Sequence, residues 1–254
     1  MIKQNTTQTG MLSFIERLIR MIPIIYYFFR SIVIFTGYFE SDFFYLKHIF
    51  KKKKINIIDV GASDGISALF FLRNLNPNKI FCFEPQKIFY KKLSILKKKF
   101  KNIKVLNYGL AKKKMNMNIY LPYINFFGKK LYLSTYTFPK RSELIDQINL
   151  DFIIKPNVEK TSIKVKKFKL IKDKIDLIKI DTNGSEAAIV ETLLPIIKRD
   201  KPILIIENNN IETIYKYLLK YNYKKYCVTN NKLIIHRNQN NPNIIFKSTK
   251  LKIY

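Results

Sequence analysis

Acidic side chains stand beside glycine turns at the ends of short apolar segments in this sequence. Asp59 lies near the end of the branched apolar segment that begins at Ile55, and Gly61, Asp64 and Gly65 follow before another apolar run. Glycine lets the backbone turn with positive φ and leaves space for a ligand close to the main chain. A strand, a glycine turn and a helix in this order hold a nucleotide at the carboxyl end of the first strand of an α/β sheet.

The charges in this turn indicate which nucleotide it suits. Pyrophosphate is held by glycine-rich turns with free amides, whereas this turn carries the carboxylates of Asp59 and Asp64. The dinucleotide pattern G-x-G-x-x-G is also absent, because Ser63 occupies its second glycine position. A cationic ligand without phosphate suits the turn better, and S-adenosylmethionine has a sulfonium, an ammonium and free ribose hydroxyls. We therefore predict that this cofactor is bound by Asp59, Gly61, Asp64 and Gly65.

Two further residues are candidates for cofactor contacts. Glu84 ends the apolar segment that starts at Lys79, roughly 20 residues after the glycine turn, where an acid can accept hydrogen bonds from ribose hydroxyls. The alternative is an ordinary charge at a strand end. Asn107 follows a third strand, Ile103–Leu106, and fits equally well as a hydrogen-bond partner of the adenine or as a turn residue.

A second group of reactive side chains surrounds the end of the segment Ile175–Asp181. Asp181 closes this fourth strand, Lys179 precedes it, and Gly184 and Glu186 follow in the turn before a helix. We predict Asp181 as a general base, which contributes about 10²–10⁴-fold, or as an anchor for substrate or metal, with Lys179 and Glu186 in support. The alternatives are that Asp181 only orders the turn, that Lys179 forms an ion pair, and that Glu186 is a favourable charge at a helix start.

Composition limits the class of protein. With 254 residues, 47% of them hydrophobic, the chain suits one α/β domain with additions. The formal net charge of +29 indicates either an anionic partner or compositional bias, and the wide spread of the lysines favours bias. Cys82 and Cys227 are the only cysteines and lie in apolar segments, without disulfide or zinc spacing. The sequence names no set of metal ligands and does not decide whether a metal is used. The cysteines indicate a reducing, cytoplasmic location, with peripheral contact to a membrane as an option.

The two ends of the chain differ from its middle. Residues 1–50 read as a helical extension, with an amphipathic segment from Met11 and an apolar segment, Ile24–Phe39, interrupted by Arg30. This extension is interpreted as packed on the core, as lying in a membrane surface, or as a true span, although its uncharged stretch is shorter than the ~20 residues that a span needs. Residues 51–236 read as the main domain, and residues 237–254 as a loose polar tail. A closing hairpin, Tyr223–Val228 with Leu233–His236, would add one antiparallel strand to a mostly parallel sheet.

These segments together resemble the FkbM-type family of S-adenosylmethionine-dependent methyltransferases. The resemblance covers roughly residues 55–236 and rests on Ile58–Gly65, Phe83–Pro85, Ile175–Asp181 with Gly184 and Glu186, and Ile203–Glu207. It implies a Rossmann-like class I methyltransferase fold with helices on both faces of the sheet, S-adenosylmethionine as cofactor, and methylation of a hydroxyl, often on a sugar. The chain departs from the family's Asp-Val-Glu-Gly with Asp181-Thr182-Asn183-Gly184.

The acceptor defines the competing interpretations. The resemblance favours a small-molecule or glycan acceptor for O-methylation. A nucleic-acid methyltransferase is the alternative suggested by the charge, but a base-modifying enzyme would carry an Asn/Asp-Pro-Pro-aromatic turn where this chain has Asp181 to Gly184. A third interpretation is a non-catalytic binding module, or one associated peripherally with a membrane, that keeps the fold. The sequence does not indicate an oligomeric state.

Overall fold

The computed structural model describes residues 22–36, 40–237 and 239–249. The predicted amphipathic helix from Met11 lies outside these residues, apart from its last position. Two compact units are present, one formed by Met1–Thr36 with Ile119–Thr161 and the other by Gly37–Asn118 with Ser162–Tyr254. The predicted domain boundaries at residues 50 and 236 stay predictions.

Helices and strands alternate along most of the described chain. The helices are α1 Pro23–Thr36, α2 Ser41–Phe50, α3 Ile66–Asn74, α4 Lys87–Lys99, α5 Arg141–Asp151, α6 Glu186–Asp200 and α7 Ile211–Leu219. The strands are β1 Lys54–Val60, β2 Asn76–Phe83, β3 Ile103–Leu106, β4 Gly109–Leu110, β5 Met115–Phe126, β6 Lys129–Tyr132, β7 Asn157–Lys166, β8 Leu177–Ile180, β9 Ile203–Glu207, β10 Tyr223–Thr229, β11 Lys232–Ile235 and β12 Asn243–Ser248.

The larger unit is built on an eight-stranded sheet in the order β11-β10-β12-β9-β8-β1-β2-β3. Strands β3, β2, β1, β8 and β9 run parallel to one another. β12 pairs antiparallel with both β9 and β10, and β11 pairs antiparallel with β10. The predicted α/β fold with a mostly parallel sheet is confirmed, and the hairpin of β10 and β11 is present. Two strands, β11 and β12, oppose the main direction instead of the single strand expected.

Strand β12 corrects the interpretation of the last residues. Asn243–Ser248 fall within the predicted loose tail, but they form a strand between β9 and β10. Ile244, Ile245 and Phe246 are fully buried there. The prediction of a loose tail was wrong. It rested on the asparagine-rich stretch and overlooked the short apolar run that follows, which can form a buried strand.

The sheet carries helices on both faces, as predicted. Alternate side chains of a strand point to opposite faces, so Ile58 and Val60 pack with α6 and α7, whereas Ile55 and Ile57 pack with α2, α3 and α4. Helix α2 lies within the predicted extension, yet its residues Phe43, Leu46 and Phe50 are buried in the core of the larger unit.

The two cysteines are buried and free.

The smaller unit combines α1, α5 and a hairpin. β5 and β6 pair antiparallel from Tyr123 with Tyr132 to Phe126 with Lys129. The core of this unit consists of Tyr26, Leu133, Tyr136, Leu144, Ile148 and Phe152. Helix α1 begins at Pro23, whose fixed φ suits a first helical position. In the part of the chain that the structure describes, we find no helix with the length and apolar character needed to cross a membrane.

Candidate active site at the carboxyl edge of the sheet

The glycine turn joins the ends of three strands. Gly61 has a φ of +73°, and a Cβ built on it would lie 1.8 Å from the carbonyl oxygen of Asp181. Its N–H donates to the carbonyl oxygen of Phe83 at 3.1 Å. Gly65 has a φ of +93°, and its Cβ would lie 2.5 Å from Leu96 in α4. Glycine is thus required at both positions, and Gly65 makes room for the side chains of α4.

A buried ion pair lies beneath this turn. Asp59 and Lys179 are register partners on the neighbouring strands β1 and β8, and their charged atoms are 3.4 Å apart. Asp59 also accepts a hydrogen bond from Ser67 Oγ at 2.6 Å. Lys179 Nζ donates to the carbonyl oxygen of Gly61 at 2.7 Å. Asp59 therefore stabilises the glycine turn indirectly, through its ion pair with Lys179.

Lys179 also reaches the end of its own strand. Its Nζ lies 3.5 Å from the carboxylate of Asp181. Burial alone would lower the pKa of Lys179, but the carboxylates of Asp181 and Asp59 outweigh burial and raise this pKa above its ordinary value. The ammonium group is consequently a fixed positive charge that orients Gly61, Asp59 and Asp181.

Glu84 lies at the tip of β2 and faces the glycine turn. Its carboxylate accepts backbone hydrogen bonds from Ser63 at 2.8 Å and from Gln86 at 2.7 Å. Burial raises the pKa of Glu84 to about 7, against the effect of these two hydrogen bonds. Asn107 donates its side-chain amide to the carbonyl oxygens of Glu84 and Pro85. Asn107 therefore holds the loop after β2 in place, and its predicted contact with adenine remains a prediction.

The chemistry of this edge fits the predicted cofactor. Glu84 offers carboxylate oxygens suited to two hydroxyl groups. The side-chain amide nitrogen of Gln86 beside it is buried without a partner among the described residues. Asp64, in the turn, is almost fully buried. A buried acceptor, a buried donor that lacks a partner and nearby negative charge suit a nucleoside with free ribose hydroxyls and a positive charge.

Glu186 secures the second turn. Its carboxylate accepts hydrogen bonds from the backbone and hydroxyl of Thr182 and from the backbone of Gly184. Asn183 has a φ of +51°, a left-handed conformation that asparagine tolerates better than most residues, and its N–H donates to Glu207 at 3.3 Å. Glu186 is buried, which places it behind the turn. Asn183, the departure from the family pattern, fits the conformation that this turn adopts.

A polar pocket opens in front of Asp181. It has a volume of about 280 Å³ and lies where β8 and β9 end and β12 begins; its lining is formed by Glu40, Phe43, Asp181, Glu207, Asn208, Asn209, Asn240, Asn241, Pro242 and Asn243. The side chain of Asp181 is 46% exposed. Burial and the nearby carboxylates of Asp181 and Glu186 raise the pKa of Glu207. Carboxylates and amides that face one opening can bind a ligand with several hydroxyl groups.

The structure thus brings most of the predicted residues to one edge of the sheet. Some of them form the surface of this edge, and others lie behind it. Gly61, Asp64 and Gly65 form the turn and Glu84 is bonded to it, while Asp59, Lys179 and Glu186 lie behind these groups. Of the predicted catalytic residues, Asp181 faces the pocket. The remaining pocket residues were not among those predicted. The acid at the end of Ile203–Glu207 was a usable signal for one of them, whereas the asparagines before β12 lay in the supposed tail.

Comparison with known proteins finds a matching family model and several solved structures to which this chain is similar. A family model described as the methyltransferase FkbM domain matches residues 59–225. The methyltransferase FkbM from Methylobacillus flagellatus KT has 16% sequence identity and a TM-score of 0.48, with 76% of this chain and 43% of that chain covered. This chain thus spans less than half of that protein. An rRNA methylase from Streptococcus thermophilus has 12% identity and a TM-score of 0.41, with 82% and 93% covered.

A further solved structure is TrmK of M. capricolum in complex with S-adenosyl-homocysteine, with 12% identity, a TM-score of 0.38, and 82% of this chain and 70% of that chain covered. Comparison with curated proteins found no match. The family model extends from Asp59 through both glycine turns to β10 and covers well over half of the chain. This chain belongs to the FkbM methyltransferase domain family.

Proposed function

We propose that this protein transfers the methyl group of S-adenosylmethionine to a hydroxyl group of a sugar or glycan-type acceptor. The observation that carries the proposal is the pocket at the ends of β8 and β9, in which Asp181 faces a space lined by carboxylates and asparagine amides. The backbone of Asp181 also touches the glycine turn at Gly61. The cofactor turn and the acceptor pocket therefore meet at one residue.

Each residue has a distinct task in this mechanism. The bound cofactor supplies an already activated methyl group, so the protein mainly has to position the two reactants, which can contribute roughly 7–11 kcal/mol. Glu84 and the turn from Gly61 to Gly65 hold the nucleoside. Asp181 accepts the proton of the acceptor hydroxyl, while Lys179 fixes the Asp181 carboxylate from behind.

A methyl-transfer screen tests the acceptor class. The whole protein would be incubated with radiolabelled S-adenosylmethionine and, in separate reactions, free sugars, lipid-linked glycans and RNA. We expect label in a sugar or glycan, at a position that mass spectrometry identifies as an O-methyl group. Label found only in RNA would overturn the acceptor class, and the absence of S-adenosylhomocysteine binding in calorimetry would support a non-catalytic module.

The raised pKa of Glu84 predicts a pH dependence of cofactor binding. Two ribose hydroxyls are best accepted by the ionised carboxylate, and the pKa in the free protein is about 7. The affinity for S-adenosylhomocysteine should therefore fall about tenfold between about pH 8 and about pH 6. The free energy of unfolding of the free protein should change in the opposite sense. A carboxyl whose pKa is raised in the folded state contributes stability at low pH, and this contribution is lost as the pH rises through about 7.

Isothermal titration calorimetry across this pH range measures the first effect, and urea unfolding measures the second. The Glu84→Gln variant is the matched control, because it keeps the shape of the side chain and cannot ionise. We expect this variant to bind S-adenosylhomocysteine more weakly, with an affinity that is nearly independent of pH between about pH 6 and about pH 8. An equally steep pH profile in this variant would show that another group, such as the amine of the ligand, causes the effect.

A further inference from the structure

The smaller unit exposes a continuous apolar surface that the methyltransferase site does not use. We call it the aromatic patch and define it by Ile25, Phe28 and Ile32 of α1 with Phe126 and Phe127 at the tip of the β5–β6 hairpin. The α1 residues recur at helical spacing and therefore share one face. The Phe28 and Phe126 rings are 5.9 Å apart and the Phe126 and Phe127 rings 4.6 Å apart.

All five side chains of the aromatic patch are exposed, and Phe127 is 90% exposed. Phe127 and Gly128 form the tip of the hairpin with φ values of +45° and +73°. A two-residue turn with positive φ at both positions favours Asn-Gly, and a bulky side chain at the first position strains the backbone. The hairpin thus holds a large apolar side chain in water at a position where the fold would favour asparagine.

Basic residues flank the aromatic patch. The segments 22–36 and 119–138, which supply all of its residues, contain no Asp or Glu. Arg30 lies within α1, and the exposed residues Lys129 and Lys130 directly follow the hairpin tip. Lys130 forms an ion pair with Glu159 of β7 at 2.6 Å. The whole chain carries a formal charge of +29, so two copies repel each other, whereas an anionic surface attracts them.

We propose that the aromatic patch inserts into the head-group region of an anionic lipid membrane and holds the protein at that surface. Aromatic side chains beside basic residues match this environment, in which the rings enter the acyl boundary and the cations meet lipid phosphates. The patch belongs to the smaller unit, so the proposal stands independently of the proposed acceptor.

Vesicle co-sedimentation of the full chain with Phe127→Asn tests this proposal. Vesicles of phosphatidylcholine alone would be compared with vesicles that also contain phosphatidylglycerol. We expect the unmodified chain to bind the anionic vesicles, and Phe127→Asn to weaken partitioning roughly tenfold, as partial burial of one phenylalanine would give. This substitution creates the favoured Asn-Gly turn, so the variant should melt no lower than the parent protein.

Ile95→Asn is the matched control. Ile95 is an exposed apolar residue of the lysine-rich helix α4 in the larger unit, and its loss should leave vesicle binding unchanged. Raising the salt concentration should weaken binding, because salt screens the lysines. Three results would overturn the proposal: no binding to anionic vesicles, equal binding of the parent and Phe127→Asn, or a dimer in light scattering that Phe127→Asn abolishes.

Discussion

The Asp181→Asn variant should lose about 10²–10⁴-fold in the rate of methyl transfer at saturating cofactor, the usual contribution of a general base. Asp181 faces the polar pocket with a half-exposed side chain, while its backbone contacts the glycine turn. Asparagine keeps the size of the side chain but cannot accept the hydroxyl proton. The acceptor identified in the screen would be used to measure kcat, and calorimetry would measure cofactor affinity.

Asp176→Asn is a matched control for this experiment. Asp176 precedes the same strand at its opposite end, where it pairs with Lys53 at 3.1 Å and accepts the backbone N–H of Asn56. This variant should retain kcat even if its stability decreases. Unchanged turnover of Asp181→Asn would remove Asp181 from the chemistry. A loss of cofactor affinity at unchanged kcat would instead assign Asp181 to cofactor binding.

The succession of the main strands along the chain, and the acids at their ends, could be predicted from the sequence. A branched apolar run followed by a glycine turn and an apolar helix has one common arrangement, so Asp59, Glu84 and Asp181 reached the same edge of the sheet as expected. Local sequence carries this information, because each strand is bounded by its own turn signals.

The direction of each side chain could not be predicted in the same way. Lys179 and Asp181 lie on the same side of β8, and the position of Lys179 is decided by its register with Asp59 on β1. Register between distant strands depends on tertiary packing, which the sequence of a single strand does not contain. Lys179 was therefore predicted as a residue that supports catalysis, whereas the structure buries it under the glycine turn.

The pocket was the least predictable part of the site. Its wall at Asn241 to Asn243 exists because β12 inserts between β9 and β10. Glu40 joins it from the residue before α2. Both segments lie far from the motifs in sequence, and their polar residues resemble those of ordinary loops. Only the apolar run from Ile244 to Phe246 gave a local sign that the chain continues into the core.

The Lys179→Met variant should lower the free energy of unfolding by about 3–5 kcal/mol, the typical cost of leaving a buried charge without its partner. Asp59 is completely buried, and Lys179 is its ion-pair partner at 3.4 Å. Methionine fills much of the same volume as lysine, so the lower free energy of unfolding is mainly due to the missing positive charge. Urea unfolding of this variant and of the parent protein measures the deficit.

The double variant Asp59→Asn with Lys179→Met separates charge from packing. Once both charges are removed, most of the stability should return, because a neutral pair no longer carries the cost of an isolated buried ion. Lys53→Met provides the comparison for an exposed pair, since the Lys53 side chain is 59% exposed where it meets Asp176, and it should cost less than about 1 kcal/mol. If Lys179→Met were as mild as Lys53→Met, the buried pair would not hold the glycine turn, and Gly61 would have to be positioned by its backbone contacts alone.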